Sequence, residues 1–126
     1  KDRRGYIWLG TFDGLSRYDG ENFTNYLFKE GDSSTISHST VQDIWEDSRG
    51  FLWVATWDGL SCFDPKTETF RRYTLPDSIP SIHKFQINQI LPTHNDNMWL
   101  ATKWHGLCFF DQDTKQLIYY PSQKNQ

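Results

Sequence analysis

The residues of this chain that could do chemistry are few and scattered. Its four histidines, His38, His83, His94 and His105, show neither H-x-x-x-H nor H-E-x-x-H spacing, the patterns that bring two imidazoles to one metal ion. The two cysteines, Cys62 and Cys108, make no C-x-x-C pair and read as packed or edge thiols. No G-x-S-x-G elbow is present. Glu46 and Asp47 are adjacent carboxylates. Adjacent strand residues point to opposite faces, so this pair does not converge across the roughly 5–9.5 Å that separates a glycosidase pair. Asp47 reads instead as the opening residue of a turn, Asp47-Ser48-Arg49-Gly50. No catalytic residue, metal site or cofactor is indicated. Three short runs suggest non-covalent chemistry: Phe12-Asp13, Trp57-Asp58 and Lys103-Trp104-His105. Aromatic faces stack on the C–H surface of sugar rings, and Asp, His and Lys hydrogen-bond hydroxyls.

Composition narrows the setting. The chain has 126 residues and a net charge of −3, with 13 Lys and Arg against 16 Asp and Glu. A nucleic-acid partner would require a strongly basic face, and none is indicated. No run approaches the ~18 apolar residues of a membrane span. The opening Lys1-Asp2-Arg3-Arg4-Gly5 does not read as a signal peptide. Mean hydropathy is −0.72. Six Trp, six Tyr and nine Phe nonetheless argue for a packed fold, because disordered chains are poor in aromatics.

What must position the aromatic runs is a repeat. Tyr6-Ile7-Trp8-Leu9-Gly10-Thr11 returns as Phe51-Leu52-Trp53-Val54-Ala55-Thr56 and as Asn97-Met98-Trp99-Leu100-Ala101-Thr102, with the tryptophans 45 and 46 residues apart. Each copy continues with Gly-Leu (Gly14-Leu15, Gly59-Leu60, Gly106-Leu107), then an aromatic and Asp (Tyr18-Asp19, Phe63-Asp64, Phe110-Asp111), then an apolar residue and a Tyr (Phe23 and Tyr26, Phe70 and Tyr73, Leu117 and Tyr120). The middle copy reads as four strands, Val41–Trp45, Phe51–Trp57, Leu60–Phe63 and Thr69–Thr74, joined by tight turns. Asp19, Asp64 and Asp111 each open a turn. A residue needed in every repeat is structural, since a catalytic one is needed once.

The second strand is apolar on both sides: Phe51, Trp53 and Ala55 one way, Leu52 and Val54 the other. Its sheet must therefore be covered twice. A repeating four-stranded unit of this size packed face to face is a propeller blade. A β-sandwich is the alternative, though it does not require so faithful a repeat. Small Gly10, Ala55 and Ala101 share one position, as close packing between blades favours. Trp8, Trp53 and Trp99 are expected in the core. The fold expected is all-β: a β-propeller segment, residues 1–126, of about two and three-quarter four-stranded antiparallel blades. These are a partial blade at 1–28, full blades at 38–75 and 84–121, and eleven strands in total. Closed propellers have about 4–8 blades. The chain therefore reads as part of a larger ring, with blade faces open to other blades or to self-association.

The string Ile44-Trp45-Glu46-Asp47-Ser48-Arg49-Gly50-Phe51-Leu52-Trp53-Val54-Ala55-Thr56, followed by Asp58-Gly59-Leu60 and Phe63-Asp64, closely resembles the two-component regulator propeller repeat. The first copy carries its second half as Gly5, Trp8, Gly10, Thr11, Gly14, Leu15, Arg17, Tyr18 and Asp19. The third copy departs from it. Pro92-Thr93-His94-Asn95-Asp96 replaces the acidic turn, and one residue is added before Gly106. The resemblance implies the periplasmic, extracytoplasmic sensor of a hybrid two-component receptor of the kind found in gut Bacteroidetes. Such receptors respond to glycan-derived oligosaccharides and carry their histidine kinase elsewhere. It implies signal transduction without enzymatic activity in this segment. An alternative is a non-catalytic scaffold for protein interaction or dimerisation. A propeller-borne enzyme would need a one-off polar cluster, and none is found.

On a propeller, the loop from the second to the third strand shares a face with the blade-to-blade loops. That face would present Phe12, Asp13, Trp57, Asp58, Lys103, Trp104 and His105, beside the long loops Lys29–Ser39 and Pro76–Lys84 with His38 and His83. Trp57 and Phe12 occupy equivalent positions and can equally be packing residues. Trp104 lies in the unmatched insertion and reads as the better surface candidate. Arg17, standing where Cys62 and Phe109 recur, is expected to be partly exposed.

Overall fold

The computed structural model describes residues 1–79 and 82–120. Residues 80 and 81, within the second long loop, and residue 121, at the end of the expected third blade, lie outside the described residues. The chain is all-β, and the described residues form eleven strands in three antiparallel sheets. The first sheet holds β1 (Ile7–Thr11), β2 (Gly14–Tyr18) and β3 (Phe23–Tyr26). The second holds β4 (Val41–Glu46), β5 (Leu52–Thr56), β6 (Gly59–Asp64) and β7 (Thr69–Tyr73). The third holds β8 (Ile87–Pro92), β9 (Met98–Thr102), β10 (Leu107–Asp111) and β11 (Gln116–Tyr119). In each sheet the strands lie in chain order as a meander. The register repeats: Trp8 faces Arg17, Trp53 faces Cys62 and Trp99 faces Phe109. The first strands of the second and third sheets are each interrupted at the same place, between Val41 and Asp43 and between Ile87 and Gln89.

The two faces of β5 bury into two cores. Trp53, Ala55 and Cys62 pack with Phe85, Ile87, Met98, Leu100, Cys108 and Phe110, between the second and third sheets. Leu52, Val54, Phe63 and Phe70 pack with Leu15, Ile36 and Val41, with Trp8 and Tyr26 against them from the first sheet. Every residue of β5 is buried. Gly10 sits where the first sheet meets Val41, and a Cβ there would lie 2.5 Å from Val41 Cγ1. The contact explains why this position is glycine in the first copy.

The expectation that all three repeat tryptophans are core holds only for Trp53. Trp8 and Trp99 are half-buried. Trp99 lies on the outer face of the last sheet, where its ring meets those of Phe109 and Tyr120. Ile7, Leu9 and Phe23, the counterparts of buried Leu52, Val54 and Phe70, are exposed on the outer face of the first sheet. Among the described residues the end sheets each have one neighbouring sheet and the middle sheet has two.

This turn carries the same chemistry in the first two copies. Asp47 Oδ1 accepts the backbone N–H of Arg49 (2.9 Å) and Phe51 (3.1 Å), and its Oδ2 accepts the Trp53 indole N–H (2.9 Å). Asp2 does the same for Arg4, Tyr6 and Trp8, at 2.9, 3.0 and 2.7 Å. The third copy has Thr93 at this position. There the turn is a short 3₁₀ segment, His94–Asp96, with Asn95 and Asp96 at φ 59° and 61°.

Candidate functional site

The hairpins β1–β2, β5–β6 and β9–β10 turn at one end of the sheets, and a repeated threonine shapes each of them. Thr11, Thr56 and Thr102 Oγ1 donate to the carbonyls of Gly14, Gly59 and Gly106, at 2.9, 2.9 and 2.6 Å. The same oxygens accept the N–H of Asp13, Asp58 and His105, at 2.9, 3.0 and 2.9 Å. The first two hairpins are also pinned to the lead-in of the next sheet. Gly14 N–H donates to Ser39 O (2.6 Å), and Gly59 N–H to Phe85 O (2.7 Å). Glycine is required at both positions, with φ of 95° and 108°. The aromatic runs therefore sit on a rigid frame, at the same end as the loops between sheets.

The first loop is held from below. Ile36 is fully buried, and Ser37 is bonded to Ser61 and Thr56. Arg72 of β7 reaches it with four bonds: Nε to Thr35 O (2.9 Å), and a terminal nitrogen to Asp32 O (2.7 Å), Thr35 Oγ1 (2.9 Å) and Ile36 O (3.2 Å). The loop is thereby fixed, and it delivers His38 to the face.

Two aromatic groups result. In the first, Phe12 meets Trp57 edge-on at 6.4 Å, Trp57 meets His38 at 6.1 Å, and His38 stacks on Phe28 at 6.5 Å. Phe12 is 79% exposed and Trp57 36%. Their contact spans the first and second sheets, so these rings help pack the sheets as well as line the surface. Thr40 N–H donates to His38 Nδ1 (3.0 Å), which fixes the ring. Asp13 is exposed beside Phe12. In the second group, Trp104, 47% exposed, stacks on His83 with centroids 3.9 Å apart and planes 9° apart. The Lys103 ammonium lies 5.0 Å from the Trp104 ring. Asp58 pairs with Lys84 at 3.7 Å. Asp58, His83, Lys84, Phe85 and His105 line an open cleft of about 610 Å³.

One candidate departs from its expected place. His105 is not presented at the surface but turned inward and buried, edge-on to Phe85 (5.8 Å) and Tyr119 (6.2 Å). The inserted residue explains this: in the third hairpin the threonine bonds the second residue after it in the other copies, but the third residue here, so Trp104 takes the tip. Burial, with the nearby His83, holds the His105 pKa below the ordinary imidazole range. Phe28 was not foreseen, because nothing in its spacing links it to His38 before the loop closes. Among the described residues no group of three His, Cys, Asp or Glu side chains could hold a metal ion. No helix there is long and apolar enough to cross a membrane.

No protein-family model and no curated protein matches the chain. Solved structures do. The extracellular domain of the hybrid two component system BT3049 from B. thetaiotaomicron superposes with a TM-score of 0.83 at 24% identity, over 96% of this chain. The extracellular domain of BT4673 from the same organism gives 0.77 at 22% identity, over 97%. The chain spans 17% and 16% of the length of those two chains. It therefore has the fold of one part of such extracellular domains.

Proposed function

We propose that the chain is a stretch of β-propeller, about two and three-quarter blades, in the periplasmic sensor of a hybrid two-component receptor. Its blades would be residues 1–28, 38–75 and 84–121. It recognises a glycan-derived oligosaccharide and is not itself catalytic. The shared fold with two such extracellular domains, across nearly all of this chain, supports the setting. The observation that carries the ligand reading is the pair of exposed aromatic groups, Phe12 with Trp57 and Trp104 with His83, on one face with Asp58 and Lys84. A sugar stacked on Trp104 would meet Lys103, Lys84 and Asp58 as hydroxyl partners. Ligand held there bridges hairpins from neighbouring sheets and shifts how they pack, which is the means of signalling.

Calorimetric titration of the sensor domain containing this chain with a panel of neutral oligosaccharides tests the reading. Trp104→Ala is expected to weaken binding tenfold or more, about 1.4 kcal/mol, with the fold intact. Unchanged affinity in Trp104→Ala and Trp57→Ala removes the site. A second reading, a scaffold that associates through its end sheets, is favoured by a different observation: the exposed apolar residues Ile7, Leu9 and Phe23 on one side and Leu107, Ile118 and Tyr120 on the other.

A further inference from the structure

The opposite end of the sheets, where β4–β5 and β6–β7 turn, carries two equivalent cavities that differ in charge. Between the first and second sheets, Asp2, Arg4, Tyr6, Trp8, Arg17 and Glu68 line a cavity of about 240 Å³. Its charges are matched. Glu68 pairs with Arg17 at 3.8 Å and accepts the Tyr26 hydroxyl at 2.5 Å, while Asp2 is bonded to Trp8 and two backbone N–H groups.

The cavity between the second and third sheets holds about 310 Å³ and repeats this frame with other side chains. Arg49, Phe51 and Trp53 stand for Arg4, Tyr6 and Trp8. Two exchanges alter it. Cys62 replaces Arg17, and Lys115 replaces Glu68. Glu68 and Lys115 occupy the same turn position: both have φ near 57–58°, and both donate their N–H at 2.8 Å to the Asp that opens the turn, Asp64 or Asp111. Arg71 adds a further guanidinium where the first sheet has Thr24, each paired across from the exchanged residue.

Three cations, Arg49, Arg71 and Lys115, thus line one cavity. Two carboxylates accompany them, Asp64 in the lining and Asp47 beside Arg49, so the cations outnumber the acids by one. Asp47 is shared among Arg49 (2.8 Å), the Trp53 indole and two backbone N–H groups, and Asp64 Oδ1 takes the Lys66 N–H at 2.9 Å. The Cys62 thiol adds no negative charge, since burial pushes it up to about 12. Burial, then the Arg49 guanidinium and more weakly Arg71, hold Lys115 below the ordinary lysine range. Among the described residues the Lys115 ammonium donates to the neutral Gln112 Oε1, at 2.6 Å, and lies 5.8 Å from the centre of the Trp53 ring.

We infer that the cavity between the second and third sheets, lined by Arg49, Arg71 and Lys115, binds a small oxyanion, either free or as the sulfate, phosphate or carboxylate group of a larger ligand. The anion takes the place that the Glu68 carboxylate fills in the equivalent cavity, and neutralises charges drawn from both sheets. This site lies at the far end of the sheets from the aromatic face and does not depend on what that face binds.

The test is calorimetric titration and thermal unfolding of the purified protein with inorganic sulfate, inorganic phosphate and acetate, against chloride at equal ionic strength. Saturable binding is expected for at least one of the three. Lys115→Glu, which restores the acid of the equivalent cavity, should weaken it at least tenfold while circular dichroism stays that of the parent. Arg71→Thr should weaken it as well and serves where Lys115→Glu does not fold. The order among sulfate, phosphate and acetate identifies a tetrahedral or a planar group. Sulfate and phosphate raise melting temperatures generally by exclusion from protein surfaces. A rise of equal size in parent and variants, or no binding beyond that of chloride, overturns the site.

Discussion

Asp47 shows how much of this fold turns on single side chains. Its carboxylate is fully buried at the base of a turn and holds four donors, one of them the indole of the central Trp53. Burial alone would raise its pKa. The bonds from Trp53, Arg49 and the turn outweigh that, and Asp47 lies below the ordinary carboxylate range, as does Asp2. The depressed value fixes the sign of the pH dependence. The stabilisation is fully present above about pH 4 and is lost as pH falls through the lower native value. Asp47→Ala should cost about 2–3 kcal/mol, since it strands a buried indole N–H and removes a charged acceptor. It should also flatten the acid limb of an unfolding curve followed by tryptophan fluorescence. A variant as stable as the parent at pH 7 would refute this account. The turn-forming part of the role was legible in Asp47-Ser48-Arg49-Gly50. The indole bond was not, because it joins residues whose side chains meet only after the hairpin closes. The inward turn of His105 escaped for a similar reason: the sequence marks an insertion before Gly106, but not which residue takes the tip.

Among the elements, strands were easier to read than loops. The double apolar pattern of β5 requires cover on both faces, and the two cores on either side of it are that cover. Alternation carries this information locally, so it survives without knowledge of the neighbours. The irregularities in β4 and β8 depend on how each first strand meets the adjacent sheet. There Asp43 Oδ2 accepts the N–H of Ile90 from the third sheet at 2.8 Å, and no local pattern encodes that. The loop at 29–39 is likewise ordered by Arg72, which is distant in sequence. The small position at Gly10 was legible and also has a reason. Gly10→Val should destabilise by about 1–3 kcal/mol through overlap with Val41, measured by chemical denaturation. A neutral effect would mean that the first and second sheets part more easily than their packing indicates.

At the scale of the molecule, the three sheets repeat one interface and leave it unmade at either end. The outer face of the first sheet offers Ile7, Leu9 and Phe23, the same set by which the second sheet meets the first. The outer face of the third offers half-buried Trp99 and Phe109 with exposed Leu107, Ile118 and Tyr120. Light scattering on the isolated chain should show association that grows with concentration, and Leu9→Glu should reduce it by placing a charge on the open face. A strictly monomeric chain at all concentrations would count against the end sheets as contact surfaces.

The bonds from Gly14 to Ser39 and from Gly59 to Phe85 bear on how such a molecule can be divided. These two hairpin tips are tied, by hydrogen bonding, to the loop just ahead of the strand that opens the following sheet. The sheet is thus not the unit that can be cut out, duplicated or exchanged intact. A graft that begins at β4 or β8 would leave a glycine N–H of the preceding hairpin without its acceptor. One that begins a few residues earlier, at Ser39 or Phe85, would bring the acceptor with it. The modular boundary therefore runs through the loops, slightly ahead of the second and third sheets.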